Sequence, residues 1–201
     1  MIEYNRSVLD QIETTMIYSG VLRKRGVPMN STRETMKAYR EHIARNVKKG
    51  DLLRKNVLTD VKRKADRIRL GEMYCFAYPV PKHKSTLPYF DQLPLMICTK
   101  IDRNGFEGIN LHYFPMKLRE DLFLSLMDQR TTSSFGEQSR IKPPIGVGLG
   151  YRSYLRRKVF SSIIHIKATD WFSALYLPIE NFYGREANKV WRDTIAAENK
   201  L

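Results

Sequence analysis

Carboxylates, histidines, thiols and glycine-rich turns are where a chain of this kind would do chemistry, and few of them are spaced to do it. The four histidines, His42, His83, His112 and His165, fall in four separate segments, and none forms a ligand pair at helical or Cys/His spacing. His112, beside Tyr113 in a predicted strand, reads as a packed or hydrogen-bonded histidine. Asp91, Asp102 and Glu107 flank a predicted hairpin, and a nuclease would need such carboxylates gathered around a cation. Asp102 is better explained by the turn and Glu107 by an exposed strand face. The run Gly146-Val147-Gly148-Leu149-Gly150-Tyr151-Arg152 invites a phosphate-loop reading, but it lacks the Gly-Lys-Ser/Thr ending of a nucleotide loop. It reads instead as a flexible hinge ahead of a basic helix. Cys75 and Cys98 sit in apolar segments and behave as small buried hydrophobes rather than as a disulfide. No catalytic pair, metal or cofactor is expected.

Cations are the stronger signal. The chain holds 35 Lys and Arg against 21 Asp and Glu, a formal net charge of +14. Such a field concentrates any polyanion, nucleic acid first, with an anionic membrane or an acidic protein behind it. Residues 1–70 carry 17 of the cations against 8 acids, so the N-terminal third is the electropositive part. The candidate nucleic-acid contacts are Arg23, Lys24 and Arg25 in a loop between Gly20 and Gly26, and Lys48 and Lys49 at the end of a helix. Lys62, Arg63, Lys64 and Arg67 follow on a second helix. Arg152, Arg156, Arg157 and Lys158 are interleaved with Tyr151 and Tyr154. Cations there neutralise phosphates while tyrosines stack or donate. The loop run is more usually a solvated face, the helix runs equally suit a basic arm docked on an acidic neighbouring subunit, and the 152–158 run is equally an exposed basic helix with buried tyrosines.

The elements that must position these residues give an α+β fold. Basic N-terminal helices precede a small curled antiparallel sheet, of SH3-like or OB-like kind, with flanking helices. The division is a basic helical region over 1–70, a β-rich body with a central helix over 71–182, and a C-terminal tail helix over 183–201. A first helix spans about 6–19. A second follows the capping box Ser31-Thr32-Arg33-Glu34, with Met36, Tyr39, Ile43 and Val47 as its apolar stripe and Gly50 as its stop. A third is expected at about 58–69. Strands are expected at 73–78, 93–101 and 106–114, the last two joined by the tight turn Asp102-Arg103-Asn104-Gly105, where Asn-Gly tolerates positive φ. A helix follows Pro115 to about Asp128, with Leu118, Leu122 and Leu126 inward. A long loop covers 129–150. Then come a short basic helix at 151–158, strands at 159–167 and 174–177, and a helix near 185–198. The apolar fraction of 42% supports a core. The apolar runs are too short to span a bilayer and no secretory signal opens the chain, so no membrane partner is expected and the chain should stay in the cytoplasm that makes it.

One block of residues is distinctive as a block. Leu87-Pro88-Tyr89-Phe90-Asp91, Pro94-Leu95, the run Gly105 to Pro115 and Leu118-Arg119, followed by Asp170-Trp171, Leu177-Pro178, Phe182 and Val190-Trp191, resembles small structural proteins of large contractile-tailed, T4-like bacteriophages. The resemblance covers about residues 70–195. It implies a virion component made in the host cytoplasm, without enzymatic motif, of the DNA-end protector, neck or baseplate type. DNA, other virion proteins and membership of a larger oligomeric assembly are the partners it implies. Three functions remain in play. The first is a structural protein that contacts DNA at an end or near the neck or portal; the second is a protein-only assembly piece of tail or baseplate; the third is a metal-dependent nuclease built from Asp91, Asp102 or Glu107.

Overall fold

Both faces of the central strands carry apolar side chains, and both are covered. This is the main feature of the computed structural model, which describes residues 8–24, 32–47, 58, 61–79, 87–132, 148 and 150–198. The described helices are α1 (Val8–Tyr18), α2 (Thr32–Asn46), α3 (Met116–Thr132), α4 (Trp171–Tyr176) and α5 (Ala187–Glu198). The strands are β1 (Met73–Cys75), β2 (Phe90–Asp91), β3 (Leu95–Ile101), β4 (Gly105–Asn110), β5 (Tyr151–Leu155), β6 (Ile164–Ile166) and β7 (Phe182–Tyr183). Five of them form one antiparallel sheet in the order β5-β4-β3-β1-β6, and β2 pairs with β7 in a separate two-stranded piece.

Strand residues alternate between two cores. Met73, Cys75, Leu95, Ile97, Ile109, Ile164 and Ile166 face the helices, where Leu9, Ile12 and Met16 of α1, and Met36, Tyr39 and Ile43 of α2, complete the packing with α4. Tyr39 stacks on Phe172 with ring centres 5.6 Å apart. On the other face Tyr74, Phe76, Met96, Cys98, Phe106 and Tyr154 form an aromatic cluster. It is capped by Ile68 together with Ala65, Val159 and Ile163. The register is Met73 opposite Ile97 and Ile166, and Ile97 opposite Ile109. The N-terminal helices therefore share the core of the sheet. Helix α1 ends on Gly20 at φ 77°, with the Val21 and Leu22 amides donating back to the Met16 carbonyl, a left-handed cap that suits glycine.

The β3–β4 hairpin stands where the sequence places it, but the turn works differently. Neither Asn104 nor Gly105 has positive φ. The Asp102 carboxylate instead accepts the Asn104 and Gly105 amides at 2.8 and 2.7 Å. Gly105 is needed for close approach, since a Cβ there would fall on the Tyr154 carbonyl of β5.

Four expected elements are corrected. The helix at 58–69 is, within the described residues, a 3-10 turn at Val61–Arg63 followed by a backbone bridge from Lys64 to Ile164, because tertiary contacts override local helix preference. Residues 151–158 form strand β5 and a 3-10 turn, since β5 pairs along β4 and points Tyr154 into the aromatic cluster. The strand at 174–177 is helix α4, whose six residues are all buried, so no polar face reveals a helical period. The strand at 159–167 shrinks to Ile164–Ile166. Helix α3 runs on to Thr132, into the start of the expected loop; residues 133–147 of that loop lie outside the described residues, as do the capping Ser31 and Gly50.

Candidate nucleic-acid interface

The segment 61–69 crosses the outer edge of β6, and its backbone is tied there. The Ala65 amide donates to the Ile163 carbonyl at 2.8 Å, and the Arg69 amide to the Tyr74 hydroxyl at 2.8 Å. That seam holds Lys62, Lys64, Arg67 and Arg69 around a cleft of about 100 Å3, which His165 and Lys167 also line. Lys62, Lys64, Arg67, Arg69 and Lys167 are exposed. His165 is anchored to Glu72 through Nε2, 3.1 Å from Oε2.

Arg63 departs from its expected role. It is 6% exposed at the floor of the cleft and pairs with Asp170 and Asp10. Burial alone would lower its guanidinium, but the two carboxylates outweigh that and raise it, so it stays charged inside the fold. It is an internal tie and not a surface contact for phosphate.

The other predicted cations are distributed. Arg23 and Lys24 are exposed just after α1. Arg25, Lys48 and Lys49 lie outside the described residues. Arg152 lies over the Tyr113 ring at 4.0 Å and donates to the Tyr151 carbonyl at 2.8 Å, which takes it largely out of the surface. Arg156 and Arg157 are exposed and Lys158 half-buried, on the turn that follows β5. Phe160 next to them is 82% exposed. Arg69 and Lys167 are not among the candidate contacts named from the sequence. Arg69 belongs to a run that was visible, whereas Lys167 reaches the cleft only through the pairing of β1 with β6.

The acids weighed for a nuclease do not converge. Asp91 is buried, with His112 Nδ1 and Asn110 Nδ2 on Oδ2 at 2.8 and 2.9 Å and the Leu93 amide on Oδ1 at 3.0 Å. Burial pushes its carboxyl up, but the facing His112 and these bonds outweigh that and hold it below the usual carboxylate range. Asp102 caps the hairpin. Glu107 accepts from Tyr151 and Ser153 at 3.0 and 3.2 Å and pairs with Lys100 at 3.4 Å. Among the described residues no group of three His, Cys, Asp or Glu side chains could hold a metal ion. Both cysteines are free and buried, and burial pushes their thiols up, Cys98 to about 11.

The distinctive central block turns out to be a buried hub. Arg119, 1% exposed, donates through Nε to the Phe114 carbonyl at 2.7 Å and lies 5.4 Å from the Trp191 ring centre. Trp191 donates to the His112 carbonyl at 2.9 Å, and Thr194 to the Tyr113 carbonyl at 2.8 Å. Helix α5 is thereby fastened to the 3-10 turn Leu111–Tyr113 that follows β4.

The described residues thus define a basic α+β protein that presents cations beside one sheet edge and keeps its buried charges bound within the fold. Residues 10–194 match the family model described as phage T4 terminal DNA protecting protein. The chain belongs to that bacteriophage family. No curated protein and no solved structure gives a significant match to it. No described helix is long and apolar enough to cross a membrane.

Proposed function

We propose that the chain is a non-enzymatic virion component that holds DNA, at its ends or near the neck and portal through which DNA passes, by phosphate contacts from a basic surface. The observation that carries this reading is the convergence of Lys62, Lys64, Arg67, Arg69 and Lys167 on one cleft, in a chain whose family is described as protecting terminal DNA. Arg23, Lys24, Arg156, Arg157 and Lys158 extend the contact, and Arg152 supports it from behind. Contacts of this type fix position without reading bases. Other virion proteins are the expected neighbours, in a larger oligomeric assembly.

Binding of the full chain to linear duplex DNA across a salt series, with and without magnesium, tests this. The logarithm of the binding constant should fall linearly with the logarithm of salt, by roughly 0.9 per phosphate neutralised, and the DNA should stay intact. Absence of binding near physiological salt would instead favour the protein-only assembly role in tail or baseplate. Magnesium-dependent cleavage would favour the nuclease.

A further inference from the structure

We propose that the cleft between residues 62–69 and the end of β6 is a receptor for one phosphate monoester, the terminal phosphate of a DNA strand. The inference rests on the DNA-binding reading above and adds which chemical group the cleft takes.

Size comes first. At about 100 Å3 the cleft is smaller than the roughly 150 Å3 cavity that accommodates benzene. That is room enough for a tetrahedral oxyanion. Charge comes second. Lys62, Lys64, Arg67, Arg69 and Lys167 surround the space, and Asp66 is the one acid on the wall besides the paired floor. Among the described residues Lys64, Arg67, Arg69 and Lys167 make no ion pair with a carboxylate. The floor is fixed, because Arg63 is locked between Asp10 and Asp170 and its charge is matched there. The Tyr74 hydroxyl accepts the Arg69 amide and keeps its own O–H as a donor at the wall.

Shape then distinguishes the two kinds of DNA phosphate. An internal phosphodiester has one charge, two free oxygens and chain leaving on both sides, so it suits a strip of cations along an open surface. A terminal monoester has three free oxygens, close to two charges at neutral pH and chain on one side only. Its three oxygens and greater charge can satisfy several donors of a concave site together.

The test measures binding of the full chain to one duplex of fixed sequence carrying 5′-phosphate only, 3′-phosphate only or hydroxyl ends, and to a closed circle of the same length. The wild type should bind one phosphorylated form about tenfold more tightly than the hydroxyl-ended form, and the arms identify which strand end is taken. The double variant Arg67→Gln/Lys167→Gln should lose that ratio yet still bind the circle. Arg157→Gln/Lys158→Gln should weaken all four ligands alike and keep the ratio. Melting curves matching the wild type establish that both variants fold. Equal wild-type affinity for phosphorylated and hydroxyl ends would overturn the proposal while leaving DNA binding intact, as would a ratio that survives in Arg67→Gln/Lys167→Gln. Failure of the wild type to bind any of the four near physiological salt would remove both readings together.

Discussion

Arg63 and Asp91 are both buried charges, and they are held in different ways. Arg63 answers two carboxylates, and its partner Asp170 is as deeply buried as it is. Arg63→Met should therefore destabilise the fold by about 3–5 kcal/mol, because it strands Asp170 without compensation. Adding Asp170→Leu should recover most of the loss; urea unfolding of the two variants measures both. Asp91 is a carboxylate whose folded pKa lies below its unfolded one. Its contribution is complete above the unfolded value of 3.8 and is lost as pH falls through the lower folded value. Melting temperature against pH should show a wild-type decline below about pH 4 that Asp91→Asn lacks. That variant should be less stable throughout neutral pH by about 2 kcal/mol, through weakened charge-assisted bonds from Asn110, His112 and Leu93.

At the scale of elements, close packing of backbones sets what the sheet tolerates. A Cβ on Gly108 would fall on the Ile97 carbonyl and the Met96 side chain, while one on Gly148 would meet open space. Gly108→Ala should cost about 2 kcal/mol or more and Gly148→Ala close to none, as chemical denaturation would report. Helices α1 and α2 were legible because each has one polar side, and a half-exposed element displays its period; the hairpin was legible from its turn residues, Asp102 to Gly105, and α3 from Pro115 at its start. Helix α4 has no exposed side, so the apolar run from Ala174 to Leu177 reads as a strand. Residues 61–69 misled for the opposite reason. Their local pattern is helical, but the bonds that decide their path go to Ile163 and Asp170, far away in sequence, and to Tyr74 just beyond the segment. The site divides along the same line. Lys62, Lys64 and Arg67 were legible as a run, the burial of Arg63 among them was not, and Lys167 depended on a strand pairing. Among the residues that carry the family resemblance, Asn110 to Phe114, Arg119 and Trp191 belong to the internal hub that fastens helices to the sheet. They announce the architecture more than the surface that meets a partner.

For the molecule as a whole, α5 is part of that hub and not an appended tail. Val190 is fully buried, and Trp191 and Thr194 donate to carbonyls of the 3-10 turn that follows β4. Removing residues 187–201 should lower the melting temperature of the whole protein by roughly 10 °C rather than trim a peripheral segment, and calorimetry would show one transition displaced. The seam between residues 64–65 and the edge of β6 has a different consequence. A cleft wall sewn to a sheet by the Ala65 amide carries its own clock. Deuterium replaces that hydrogen only when the wall lifts away, so whatever settles in the cleft slows a single, assignable exchange event. Occupancy can thus be timed at one backbone position in the untouched protein, with no label attached and no residue changed.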